Sequence, residues 1–163
     1  MIEINSSRRN REQIATAIGH AVMRWQDATQ DYDEAVGERL GLNLAERRCL
    51  SFLYAGPQPA GAIAGATALT PAAVTSLIDR LEARGYVARS RSNEDRRKVM
   101  VEMTEKAREA TGRYYGPLAE EGGRFLATFS REELIAVERF LLGAIDMQER
   151  RLAEIDAKES ADA

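Results

Sequence analysis

The chain reads as mainly α-helical, with one small two-stranded β ribbon and long helices at both ends. Apolar residues recur at helical spacing through most of the sequence, whereas strict alternation is clear once, at Val99, Val101 and Met103. One stretch joins both signals: LTPAAVTSLIDRLEARGYVARSRSNEDRRKVMVEMT, from Leu69 to Thr104, couples a helix to a hairpin with a basic tip. The terminal helices also carry more apolar surface than one small core can cover.

Taken in order, residues 1–9 read as a frayed arm. From Arg11 to Val36 the set Ile14, Ala17, Ile18, Ala21, Val22, Trp25, Ala28, Tyr32 and Ala35 keeps helical spacing, and Gly37 and Gly41 are expected to end that helix. Asn43 and Glu46 form a capping-box pattern that starts a second helix through about Tyr54, with Leu50 and Leu53 inward. Arg47 and Arg48 read as a solvated face, with phosphate contact as the alternative. The segment GPQPAGAIAGATA (56–68) is expected to form a helix of about two turns anchored by Ile63 or, alternatively, a mobile segment, because Gly61 and Gly65 each weaken a helix by ~1 kcal/mol relative to Ala.

Thr70 suits an N-cap and Pro71 the first helical position, so a helix is expected from Pro71 to Arg84, with Gly85 at its left-handed end. Val74, Leu77, Ile78 and Leu81 form its apolar stripe; Ala72, Thr75, Ser76, Asp79, Arg80 and Ala83 lie opposite. At ~1.5 Å per residue this rod is about 20 Å long, enough to lie along a DNA major groove. A carboxylate facing phosphates repels them, so Asp79 is expected to fold back onto an arginine of the same domain. A strand from Tyr86 to Arg91 with Val87 inward, turn chemistry at Ser92–Asp95 and the alternating strand at Val99–Met103 make the hairpin. Arg89, Arg91, Arg96, Arg97 and Lys98 cluster around it. A helix with a polar face followed by an arginine-tipped hairpin is the outline of a winged helix-turn-helix, whose helix enters the major groove while the wing reaches the minor groove.

After Thr104, a long helix from Glu105 to about Phe129 is expected to bend at Gly116-Pro117. Ser130 and Glu133 open a last helix to about Ile155, and the tail KESADA is expected to be disordered. The organisation expected is therefore an N-terminal dimerisation arm and helix (1–40), a winged helix-turn-helix (41–104), C-terminal dimerisation helices (105–157) and a disordered tail (158–163).

Composition excludes several classes. With 163 residues, 44% of them hydrophobic and 30% charged, the chain is neither disordered nor membrane-like. No apolar run approaches ~18 residues and the N-terminus lacks an apolar signal core, so a cytoplasmic protein is expected. One cysteine excludes an intramolecular disulfide and a multi-thiolate zinc site. The net charge of −3 argues at first against a nucleic-acid partner, but Ser76–Lys98 holds seven Arg/Lys against four Asp/Glu, and residues 120–163 hold eleven acids against six bases. A basic module on an acidic body orients a protein on DNA.

The run DRRKVMVEMT, from Asp95 to Thr104, resembles the wing signature of the MarR (multiple antibiotic resistance regulator) family, with Met103 in place of its usual Leu, and TPAAVTSLIDRLEARGYV resembles that family's recognition helix and first wing strand. The resemblance implies a DNA-binding transcriptional regulator, a repressor, that binds a pseudo-palindromic site as a homodimer through its terminal helices. It places Pro71, Ala72, Thr75 and Ser76 in the major groove and Arg97 in the minor groove, with Asp95 holding the Arg97 guanidinium; Arg80, Arg96 and Lys98 complete the expected DNA contacts. Relatives commonly carry an arginine near Thr75 or Ser76, and this chain has none there. MarR-like dimers often release DNA on binding a small aromatic or phenolic molecule, and Trp25, Tyr114 and Tyr115 are the pocket candidates, with ordinary core packing as the alternative.

Other chemistry finds little support. His20, the only histidine, reads as an interface or surface residue rather than a metal ligand, and Cys49 as a small buried hydrophobe rather than a redox sensor. No nucleophile–histidine–acid set, phosphate loop or metal-binding cluster is apparent, so neither a cofactor nor an enzyme activity is expected. The rival readings are a winged helix that binds only protein and, behind it, an enzyme.

Overall fold

The computed structural model describes residues 9–91 and 99–161. Among them are α1 (Arg11–Leu40), α2 (Leu44–Leu53), β1 (Gln58–Pro59), α3 (Ala60–Thr67), α4 (Pro71–Ala83), β2 (Val87–Arg91), β3 (Val99–Met103), α5 (Glu105–Leu126) and α6 (Arg131–Ala161). The chain forms two compact units that divide between Tyr114 and Tyr115, inside α5.

The first unit holds the winged helix-turn-helix. Its sheet has three antiparallel strands in the order β1-β3-β2, one more than the expected ribbon. β1 is only Gln58 and Pro59, opposite Val101 and Met100, too short to show a period-2 pattern. Proline lacks an N–H to give to a ladder and belongs on a sheet edge, where β1 lies. In the hairpin Val87 pairs with Met103 and Arg91 with Val99. Val87, Val101 and Met103 are buried, whereas Val99, at the outer end, is 44% exposed.

Helix ends follow local chemistry. Asn10 and Gln13 cap α1 reciprocally, and the helix runs through Gly37 to Leu40 before Gly41 takes the left-handed conformation, φ 60°. Gly37 therefore does not terminate the helix. A Cβ there would lie 2.7 Å from Cδ of Arg47 and 3.0 Å from the Leu42 carbonyl oxygen, so its glycine admits the start of α2. Asn43 and Glu46 form the expected capping box: Asn43 Oδ1 accepts from Glu46 N–H at 2.9 Å, and Glu46 Oε2 accepts from Asn43 N–H at 3.1 Å. The 56–68 segment forms the two-turn helix α3, with Ile63 fully buried and the buried Thr67 hydroxyl donating to the Ile63 carbonyl at 2.7 Å.

The core of this unit is contributed by α2 (Cys49, Leu50, Leu53), α3 (Ile63), α4 (Val74, Leu77, Ile78, Leu81), the hairpin (Val87, Val101, Met103), Leu42 and Ala107 of α5. Fully burying each large apolar side chain stabilises the fold by ~1.5–3 kcal/mol. The whole apolar stripe of α4 is thus committed inward, leaving its other face to solvent.

The second unit comprises the end of α5 and α6. Pro117 lies inside α5, which stays helical from Glu105 to Leu126 and ends three residues before the expected Phe129. The proline deprives the Arg113 carbonyl of its helical donor. The neighbouring carbonyl, of Tyr114 in the first unit, accepts from the Tyr32 hydroxyl at 2.6 Å. Ser130 and Glu133 form the second expected capping box, and the Ser130 N–H and hydroxyl hold the Glu133 carboxyl below its ordinary range. α6 runs to Ala161, past Ile155 and into the stretch expected to be a disordered tail. Phe125 and Phe129 meet edge to face at 5.1 Å. No single helix among the described residues is long and apolar enough to cross a membrane.

Candidate nucleic-acid interface

The Thr70 hydroxyl accepts from the N–H of Ala73 at 3.3 Å and Pro71 occupies the first turn, so α4 starts where its capping residues dictate. Pro71, Ala72, Thr75, Ser76, Asp79 and Arg80 are all exposed. The structure therefore brings the expected helix residues onto one accessible face. The Thr75 hydroxyl donates to the Pro71 carbonyl at 3.1 Å, and that of Ser76 to the Ala72 carbonyl at 3.3 Å.

Asp79 folds back as expected. The guanidinium of Arg89, on β2, reaches Asp79 Oδ1 at 2.5 Å and also pairs with Glu82, whose other carboxylate oxygen accepts from the Arg89 backbone N–H at 3.3 Å. Burial opposes the charge on Arg89, but the hydrogen bonds and negative charges of Asp79 and Glu82 outweigh it and hold the pKa above its ordinary value. Arg89 therefore ties the wing strand to α4 and is neutralised there, rather than adding to a basic patch. Arg91, at the end of β2, is exposed.

Behind the helix lies a second polar cluster that sequence patterns did not reveal. Glu46 is buried at 5% exposure, and its carboxylate accepts from Arg80 Nε at 3.2 Å and lies 3.9 Å from Arg84 Nη1. Arg84 also donates to the carbonyls of Gly41 at 2.7 Å and Leu40 at 2.5 Å, filling the C-terminal end of α1, and stacks over the Tyr86 ring at 4.8 Å. Lys106 donates to the Arg84 carbonyl at 2.7 Å, and the Thr104 hydroxyl to that of Gly85 at 2.7 Å while capping α5. The ends of α1 and α4 and the start of α5 are thereby held together. The contacts span 43 residues in sequence at Arg84–Gly41 and 34 at Arg80–Glu46, beyond any local signal.

Asp95, Arg96, Arg97 and Lys98 lie outside the described residues. Trp25 is 59% exposed on α1, Tyr114 and Tyr115 are half-buried on α5, and Tyr115 belongs to the second unit. A groove of about 520 Å³ lies at the α1–α2 junction, lined by Glu34, Glu38, Asn43, Glu46 and Arg47 among others, and none of the three aromatic candidates borders it. Among the described residues no group of three His, Cys, Asp or Glu side chains is placed to hold a metal ion. Cys49 is buried in the core; burial, with the nearby Glu46 charge, pushes its thiol up to about 11, far from the range of a reactive thiolate.

Comparison with known proteins bears on the same segment. Residues 40–98 match the model of the MarR family. The HTH-type transcriptional regulator YcgE of Bacillus subtilis is 28% identical over 151 residues, covering 92% of this chain and 98% of YcgE. Among solved structures, a MepR mutant from a multidrug-resistant S. aureus clinical isolate superposes with a TM-score of 0.64 at 16% identity, covering 80% and 96% of the two chains. NadR in complex with 4-hydroxyphenylacetate gives 0.56 at 16% identity, with 86% and 95% covered. The fold is shared with both, and the resemblance to the MarR family is borne out over residues 40–98 by the match to that family's model.

Proposed function

We propose that this chain, a winged-helix transcriptional regulator of the MarR family, acts as a homodimeric repressor on a pseudo-palindromic DNA site. On this reading it is a DNA-binding regulator rather than an enzyme, supported by its match to a family of transcriptional regulators. The observation that carries the reading is the division of α4: Val74, Leu77, Ile78 and Leu81 are buried, and Ala72, Thr75 and Ser76 are exposed on the other side. A small, hydroxyl-bearing face allows close approach to base edges. Arg80 gives Nε to Glu46 and keeps its other N–H donors for a phosphate. By resemblance, Arg97 enters the minor groove with Asp95 supporting it, flanked by Arg96 and Lys98.

The dimer follows from apolar surface. Ile14, Ile18, Met23 and Trp25 of α1 are exposed, as are Phe140, Leu142, Ile145, Leu152 and Ile155 of α6. Exposed apolar side chains on each terminal helix favour a protein interface, and a symmetric dimer places two recognition helices on successive major grooves. An aromatic effector is the second part of the reading. The Tyr32–Tyr114 hydrogen bond joins α1 to α5 within the first unit, and Trp25 lies about two turns before Tyr32 on α1. The family neighbour NadR was solved with a phenolic acid.

The test is a gel shift with the DNA upstream of the protein's own gene, paired with light scattering after size exclusion. Saturable binding by a species of about twice the 18.1 kDa chain mass is expected. Absence of specific binding at low salt, with retained binding to a protein partner, would favour the winged helix as a protein-interaction module.

A further inference from the structure

The exposed face of the first two turns of α4 presents Pro71, Ala72, Thr75 and Ser76, and the first cation on that face is Arg80. Their hydrogen bonding has a direction. A hydroxyl holds one proton and two lone pairs. Thr75 directs its proton to the Pro71 carbonyl at 3.1 Å, and Ser76 directs its own to the Ala72 carbonyl at 3.3 Å. While these two bonds are held, what remains for a partner on the outside is lone pairs only. Asp79, also an acceptor, is held by Arg89, and Arg80, one turn beyond Ser76, gives Nε to Glu46 and keeps its Nη donors for contacts outside the first two turns. The side chains of these two turns therefore offer acceptors and methyl groups, and no donor.

We infer, on the reading that α4 lies in the major groove, that the helix recognises A·T pairs through adenine N6, donated to the hydroxyl of Thr75 or Ser76. Guanine shows only the N7 and O6 acceptors in the major groove and needs donors opposite it. Adenine and cytosine both offer an amino group. The methyl groups of Ala72 and Thr75 decide between them, because the partner of adenine carries the C5-methyl of thymine and the partner of cytosine does not. Thr75 and Ser76 are thus specificity determinants whose polarity is set by the helix backbone behind them.

The full-length chain is used to select binding sites from randomised duplexes, and each adenine of the recovered half-site is replaced in turn by purine, which lacks only the amino group. At one adenine the replacement is expected to weaken binding ~10-fold. Thr75→Val or Ser76→Ala should weaken the unmodified site similarly and show no further loss on the purine site, since variant and base analogue remove the same hydrogen bond. Both side chains are exposed, so thermal unfolding by circular dichroism should be near that of the parent chain. If both variants still lose ~10-fold on purine substitution, or if Thr75→Val and Ser76→Ala change selection at a guanine instead of an adenine, the inference is overturned and DNA binding stands. If no site is enriched, the DNA-binding reading falls and takes the inference with it.

Discussion

Arg80, on the exposed face of α4, gives its Nε to the buried carboxylate of Glu46 at 3.2 Å, so the helix proposed to read DNA is tied to the first turn of α2. The Arg80 side chain is 53% exposed and that of Glu46 only 6%. Removing the arginine therefore leaves a carboxylate that water reaches poorly, with Arg84 Nη1 still 3.9 Å away. Arg80→Ala is expected to cost ~1 kcal/mol and Glu46→Ala ~2 kcal/mol, the latter also losing the cap on Asn43. Urea unfolding of both single variants and the double variant checks this. Residues in one network are not additive, so the double variant should lose less than the sum. Strict additivity would show that the pair contributes nothing.

Two glycines are expected to respond oppositely to alanine. Gly65, in α3, has open space for 4 Å around the point where a Cβ would sit, whereas at Gly37 that point lies 2.7 Å from Arg47 Cδ and 3.0 Å from a backbone oxygen. Both lie in helices, where alanine is favoured by ~1 kcal/mol. Gly65→Ala should gain roughly that amount. At Gly37 the Leu42 carbonyl cannot withdraw as a side chain can, and overpacking of ~1–3 kcal/mol outweighs the propensity gain. Denaturant midpoints of the two variants should move in opposite directions; a stabilised Gly37→Ala would refute the close approach of α1 and α2.

Cys49 supplies a pH dependence. Burial first, and the charge of Glu46 second, push its thiol from an ordinary 9.0 to about 11. The folded state therefore holds the proton more tightly than the unfolded state. Its contribution is fully present below pH ~9 and is lost as pH rises towards 11, by ~1.4 kcal/mol per pH unit and ~2–3 kcal/mol in all. Cys49→Ala should be less stable near neutrality by ~1 kcal/mol through lost packing, but its stability should fall less between pH 9 and 11. Unfolding curves for parent and variant across that range are the check, and parallel pH profiles would contradict the assignment.

How far the fold could be read from sequence depended on the range of the forces involved. Thr70, Pro71, Asn43–Glu46 and Ser130–Glu133 act within one helical turn, and each begins its helix where local chemistry places it. The stripe of Val74, Leu77, Ile78 and Leu81 was legible because burial of an amphipathic helix repeats along the chain. Gly37 misled because glycine has two uses, ending a helix and admitting a neighbour, and only the arrival of Arg47 decides between them. β1 was invisible because two residues have no period. In the candidate interface, the exposed face of α4 and the inward fold of Asp79 were foreseeable from pattern and charge. The contacts of Arg84 with the end of α1 and of Arg80 with Glu46 were not, since they join residues far apart in sequence and no periodicity marks a buried carboxylate for an arginine.

The proposed wing contact is separable from the proposed base contacts by salt. A lysine or arginine on a phosphate or in the minor groove displaces counterions whatever the sequence. Arg97→Ala should weaken binding to specific and unrelated DNA together and reduce the slope of log affinity against log salt by about one. Thr75→Val should leave that slope unchanged and narrow the gap between specific and unrelated DNA. Titrations at several salt concentrations distinguish them; an unaltered affinity and slope for Arg97→Ala would remove that arginine from the DNA.

The proposed regulation by a small aromatic ligand has a direct optical test. Trp25 is the only tryptophan and is 59% exposed on α1, so its emission reports on this region without mutation. Arg84 fills the end of α1 from the end of α4, bonding Leu40 and Gly41, so these hydrogen bonds are the expected route by which a change in α1 would reach α4. A ligand shifts DNA affinity only by as much as it prefers one arrangement over the other, and a 10-fold loss of DNA affinity requires a preference of ~1.4 kcal/mol. Titration with phenolic and salicylate-like acids is therefore expected to change Trp25 emission over the same concentrations that release DNA. Arg84→Ala should preserve the emission change and reduce the release, because it cuts the connection while leaving Trp25 in place. A panel of such acids that alters neither signal would count against an aromatic effector and leave the proposed repressor controlled by its abundance alone.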